Sequence, residues 1–172
     1  MGMKFLTGIA LNAGVLLMGA CSGAYSPVEV TRTPSSPAAE IENARETLIS
    51  YFDELYAGDY PSAASRFGGD LGVLVDWNPD VEPDNTGALL EAACARQLRC
   101  LPIRSIVYAN QIIPSIFEFQ VEFSNPDGSL FTLGPCCGAT ETEMPPVSQF
   151  ECAVEKSDGE DYAVMCLPVY VP

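Results

Sequence analysis

Histidine is missing from the chain altogether, and cations are scarce, with 8 Lys and Arg against 23 Asp and Glu. The first absence excludes Ser-His-Asp and Cys-His catalysis and any histidine-ligated zinc site. The second leaves no basic footprint for a phosphate backbone, so nucleic acid is not an expected partner. No Cys-x-x-Cys pair occurs among the 7 cysteines, which removes a common metal-binding spacing, and no cofactor or metal is expected. No apolar run reaches the about 20 strongly apolar residues that a bilayer-spanning helix needs. What is present is a chain of 172 residues, 48% of them hydrophobic, enough for one domain of ordinary size.

The first twenty residues read as an address. Lys4 is the only charge before Glu29, and behind it runs a short apolar stretch from Phe5 to Met18 that ends in the small residues Gly19 and Ala20. A positive start, an apolar middle and a small-residue exit describe an export signal. Leu17-Met18-Gly19-Ala20-Cys21 resembles the lipobox of bacterial lipoproteins, with Met18 standing where leucine is usual. That resemblance implies cleavage of residues 1–20, a diacylglycerol on the sulfur of Cys21, and often acylation of the new amino terminus. Two or three acyl chains anchor stably, where one binds only marginally. The mature chain then carries seven cations against 23 acids, a net charge of −16. Such a surface is repelled by anionic lipid, so the acyl chains on Cys21, not charge, are expected to hold it at the membrane. The expected location is outside the cytoplasm, on the cell membrane or outer membrane. Ser22 in place of an aspartate after the cysteine points toward an outer membrane where one exists.

Residues 21–36 read as the lipidated cysteine and a tether: Pro27, Pro34 and several Ser and Thr leave few apolar groups to order it. At about 3.3 Å per residue it reaches up to roughly 50 Å. The folded domain is expected over residues 37–172.

The domain reads as α followed by β. Ser36-Pro37 suits a helix start, serine as cap and proline as first helical residue. Ile41, Ala44, Leu48, Phe52 and Leu55 then recur at helical spacing, and Gly58 stands where a left-handed cap is needed. A second helix is expected over residues 60–67, a strand over 71–77 and a third helix over about 86–98. Strands are expected over residues 103–109, 116–123, 130–133, 148–156 and 162–171. Turn signals separate them, clearest at Asn125-Pro126-Asp127-Gly128 and Ser157-Asp158-Gly159. Phe117, Phe119, Val121 and Phe123 alternate with Glu118, Gln120, Glu122 and Ser124, so one sheet face is expected to be packed and the other wet. Helices ahead of a half-exposed meander give an α+β domain, a curved antiparallel sheet packed on one face by N-terminal helices.

That order, the first helix ending in Ala57-Gly58-Asp59-Tyr60 ahead of Ala63-Ala64, and the closing hairpin from Cys152 to Tyr170 together resemble the NTF2-like, or cystatin-like cone, superfamily. The resemblance is one of pattern over residues 37–172. It implies a cone-shaped sheet around the first helix with a pocket at the wide end.

Six cysteines follow Cys21: Cys94, Cys100, Cys136, Cys137, Cys152 and Cys166. An even number in an exported domain reads as disulfides. Cys94 and Cys100 can close a short loop if the third helix stops near Leu98, and Cys152 and Cys166 are equidistant from the centre of the last turn. Cys136-Cys137 is then left over, and a vicinal bridge between the two would be strained. A competing set joins that pair to cysteines on neighbouring elements, and the spacing does not choose between the two.

Asp76, Asn78, Asp80, Glu82 and Asp84 place oxygens at alternate positions, as in the first half of a calcium loop. Val81 and Gly87 stand where such a loop needs glycine and a bidentate glutamate, and Pro79 and Pro83 stiffen it, so these are weak calcium candidates in what reads as an acidic surface loop.

The function expected from these features is a non-enzymatic envelope protein that binds a small apolar ligand or another envelope protein in or beside a cone-shaped pocket. The alternative is an acid–base isomerase or dehydratase, which needs a tunable group inside a dry pocket. Tyr51, Tyr56 and Asp76 are the polar candidates for that role, the tyrosines reading first as rings that pack with a wet hydroxyl. No catalytic motif is present to name a catalytic residue.

Overall fold

The computed structural model describes residues 36–157 and 161–171. The signal segment, Cys21 and all of the tether but Ser36 lie outside the described residues. The described chain is a mixed α+β fold, with four helices followed by a four-stranded antiparallel sheet and a separate two-stranded one.

Helix α1 spans Pro37–Ala57. The Ser36 hydroxyl oxygen accepts from the Ala39 N–H at 3.3 Å, as its sequence start requires. At the other end Gly58 adopts φ 79°, and the Asp59 and Gly58 N–H groups donate to the carbonyls of Glu54 and Leu55 at 2.8 and 3.2 Å. This is a Schellman cap, and the positive φ is the reason glycine is needed there. Ala44, Leu48, Tyr51, Phe52 and Leu55 are its buried stripe.

Helix α2 (Tyr60–Arg66) starts on Asp59, whose carboxylate accepts from the Ser62 N–H. Beyond it the chain approaches the sheet closely: Phe67 makes a parallel bridge with Val164, and a Cβ on Gly68 would sit 2.8 Å from that of Ala163. Residues 71–77, expected as a strand, instead form helix α3 (Gly72–Trp77). The Asp70 carboxylate accepts from the Gly72 N–H at 2.8 Å, and Leu74 and Asn78, one turn apart, face inward. The alternation of Leu71, Val73, Val75 and Trp77 misled because Val73 points to solvent and the apolar side follows helical spacing. Helix α4 (Thr86–Arg96) is capped by Asn85 and buries Leu89, Leu90 and Ala93.

The larger sheet runs β2-β3-β4-β5, with β2 Ile103–Ile113, β3 Ile116–Phe123, β4 Phe150–Lys156 and β5 Tyr162–Val164. β1 (Leu98–Arg99) pairs instead with β6 (Val169–Tyr170). Edge strand β2 shifts register three times along β3. Such bulges bend a strand and raise its twist, which curves the sheet. Phe117, Phe119, Val121 and Phe123 are buried with Cys152, Val154 and Val164 against the α1 stripe, while Glu118, Gln120 and Glu122 on the other face are half-buried. The start of α1 is tied to the sheet by Lys156, whose Nζ lies 2.8 Å from a Glu40 carboxylate oxygen.

Two expected strands differ. Residues 130–133 form no strand: Leu130 and Leu133 each make one isolated bridge, and Gly134 and Pro135 end any ladder. Residues 162–171 split into β5 and β6 in different sheets, because Pro168 has no N–H to donate and the chain leaves β4 to reach β1. Among the described residues no helix is long and apolar enough to cross a membrane.

Candidate functional site

The cysteines set the frame of the site. Cys94 and Cys100 lie at disulfide distance with Cα atoms 5.6 Å apart, as do Cys152 and Cys166 at 5.3 Å. Pairing Val154 with Val164 and Lys156 with Tyr162 brings Cys152 opposite Cys166 just beyond the ladder, where the Met165 N–H still donates to the Ala153 carbonyl. These are the pairs of the first of the two sets. Cys136 and Cys137 remain free thiols.

Beside the second disulfide lies a cavity of about 300 Å³. Phe52 of α1, Val121 and Phe123 of β3, Phe150 of β4, the disulfide itself, Leu167 and Val169 form most of its lining. Its aromatic side is a connected series: ring centroids lie 4.9 Å apart for Phe52 and Phe123 and 5.6 Å for Phe123 and Phe150. Each element contributes through its own periodicity. Phe52 is the penultimate residue of the α1 stripe, and Val121 and Phe123 are the last inward positions of β3. The titratable side chains on this lining are Glu151, whose neighbours in β4 put it on the opposite face of the strand, and the half-exposed Tyr170. A broader depression of about 950 Å³ lies between α2 and the start of α4. It is an open trough of mixed character, lined by Tyr60, Pro61 and Ala64 as well as Ser65, Asp84 and Glu91.

The acid–base candidates are not gathered at the cavity. Tyr51 is fully buried, its ring 5.1 Å from Phe52 and stacked 6.0 Å from Phe67. The expectation of a wet hydroxyl is corrected: the Tyr51 hydroxyl is buried and has no hydrogen-bond partner among the described residues. Burial raises its pKa well above the ordinary phenol value, so it stays protonated and is no base. It does not line the cavity. Tyr56 is half-exposed, and Asp76 lies exposed on α3 rather than at a strand end.

The alternating oxygens after α3 do not converge either. Asn78 turns inward, donating to the Leu74 carbonyl at 2.9 Å and accepting from Arg96 and Gln97 at 3.4 Å each. Asp76, Asp80, Glu82 and Asp84 point to solvent, and no group of three or more acidic or cysteine side chains able to hold a metal comes together among the described residues. Asn78 is therefore the anchor of this loop, a role that its one-turn offset from Leu74 signals once α3 is read as helix.

Comparison with protein-family models, with curated proteins and with solved structures finds no match to this chain.

Proposed function

We propose that the chain is an exported envelope protein, anchored through acyl chains on Cys21, whose NTF2-like domain binds a small apolar ligand in the cavity beside the Cys152–Cys166 disulfide. One observation carries the reading: a half-open cavity of about 300 Å³ whose lining residues are mostly aromatic and aliphatic. Ligand pockets span roughly 300–1,000 Å³, so the occupant is small. Transfer of an apolar group from water supplies about 25 cal/mol per Å² buried, and the acidic surface leaves little attraction for an anion. The lipobox of residues 17–21 and the paired cysteines support the exported, membrane-attached location. An acid–base enzyme has less support, since Tyr51 sits outside the lining and Asp76 and Tyr56 face water.

The test is solvent extraction and native mass spectrometry of protein purified from its own envelope, followed by titration with the neutral probe phenylnaphthylamine. Leu167→Trp, a half-buried position on the cavity lining, should lower probe affinity at least tenfold while leaving the urea midpoint near that of the parent. Undiminished probe binding by that variant removes the cavity reading. Retention of Cys21→Ser in the membrane fraction with palmitate still attached removes the anchor.

A further inference from the structure

The cavity leaves one chemically reactive feature unused. Residues 134–146 form a loop closed at its base by Leu133 and Val147, whose N–H groups each donate to the other's carbonyl at 2.8 and 2.9 Å. Just beyond that base the Cys136 carbonyl accepts from the Ala139 N–H at 3.0 Å, with φ 61° at Cys137 and 89° at Gly138. Those angles are those of a type I′ turn, whose first central position asks for Asn, Asp or Gly. Cys137 is the only non-glycine residue with positive φ among the described residues. Non-glycine residues held in that region concentrate at functional sites. The consequence is geometric: consecutive side chains point apart in extended backbone, but here the two sulfurs are brought against each other. Cys137 is exposed, Cys136 half-buried, and the other four cysteines of the domain are already paired.

We infer that Cys136 and Cys137 form a thiol–disulfide exchange site, an exposed dithiol that reduces external disulfides and closes to a vicinal disulfide. Cys137, the more exposed, attacks one sulfur of an external disulfide R–S–S–R as its thiolate. A protein–S–S–R bond forms, the R–S–S–R bond breaks, and the departing thiolate takes up a proton as RSH. Cys136 then loses its proton and attacks the Cys137 sulfur, closing an eight-membered ring and releasing the second RSH. Two electrons pass from the dithiol to the external disulfide, which is the oxidant, and the protons of the two thiols end on the two released RSH. The order follows from the pair itself: the S–H···S contact with Cys137, then partial burial, holds the Cys136 thiol above its ordinary range, suiting it to the second, intramolecular step. A depression of about 310 Å³ is lined by both cysteines together with Arg99, Phe131 and Val171, and gives the incoming disulfide a place to lie.

The test equilibrates the full-length protein with graded mixtures of glutathione and glutathione disulfide, then traps free thiols by alkylation and maps them by mass spectrometry. The expected result is one two-electron transition. Alkylation of Cys136 and Cys137 disappears together, the protein loses two hydrogens, and no glutathione stays bound. In Cys136→Ser the same treatment should leave glutathione attached to Cys137, since no second thiol can displace it. Glutathione accumulating on wild-type Cys136 or Cys137, independent titration of the two, or full alkylation across the whole range overturns the inference. Unchanged phenylnaphthylamine binding in Cys136→Ser separates this site from the ligand cavity.

Discussion

β3 has a hydrogen-bonded neighbour on each side and helix α1 beneath it, whereas residues 124–149, which follow directly, carry two isolated bridges, both internal to the segment. In β3 every second side chain is buried, from Phe117 to Phe123. In the later segment Leu130, Met144 and Val147 are exposed, and beyond the ties of Phe131 to Phe123 and of Arg104 to Gly128 its order comes from local turns: Asn125 with Gly128 and Ser129, Cys136 with Ala139, Thr140 with Glu143. Apolar residues make a strand where a partner backbone runs alongside and a layer waits to cover them. Without these, the same residues fold back on themselves, and the chain is free to hold unusual backbone such as that at Cys137.

The comparison breaks most visibly in the core. Phe119→Ala should cost about 3–5 kcal/mol by lost burial and a residual cavity, while Leu130→Ala should change stability by no more than about 0.5 kcal/mol. Urea melts of the two variants measure both, and comparable losses would mean that the 124–149 segment is as integral as β3.

The cysteines sharpen the contrast at intermediate size. Replacing Cys152 and Cys166 together by serine should cost about 2–4 kcal/mol, because the bridge closes the last hairpin and lines the core. Replacing Cys136 and Cys137 together should shift the midpoint by about 0.5 kcal/mol or less. A large loss in the second double variant would place the dithiol among the structural cysteines and not at a reactive turn.

The smallest effect is local. The Glu143 carboxylate accepts from the Thr140 N–H and hydroxyl at 2.9 Å each, which holds its pKa below the ordinary carboxylate range. A depressed folded pKa contributes stability above the unfolded value, and that contribution fades as pH falls through the ordinary carboxylate range to the folded one. The Thr140 amide resonance should therefore move toward a random-coil position on acidification, with no change in the β3 amides. In Glu143→Gln the Thr140 titration should vanish. A Thr140 amide that ignores pH would show that the turn does not depend on this carboxylate.

Much of the scaffold was legible because its signals are local. The Ser36 cap, the Gly58 cap, the stripe from Ala44 to Leu55 and the two faces of β3 need only a few neighbouring residues to be recognised. The Cys152–Cys166 pairing was half-legible, since symmetry about the turn suggests the register but cannot exclude Cys136 or Cys137 as partners. Where signals depend on distant chain they failed. Leu71 to Trp77 satisfies two periods at once, and only packing against α4 selects the helical one. Tyr51 looks like a surface tyrosine until Phe67, sixteen residues on, closes over its ring. The lining of the cavity was not legible by residue, because Phe52, Phe150 and Leu167 come from a helix, a strand and the connection between β5 and β6.

The Glu40–Lys156 pair has a mechanical consequence. Glu40 lies in the first turn of α1, and its carboxylate also accepts from the Gln111 side chain at 3.2 Å, so β2 and the end of β4 both grip the helix where it begins. Any pull along the chain ahead of Pro37 enters the domain at this point. Instead of peeling α1 away one turn at a time, such a load passes at once into two strands and is shared across the sheet. Rupture under tension then requires several bonds to fail together, so the domain resists a pull from its amino-terminal side better than a helix held by its own hydrogen bonds alone would.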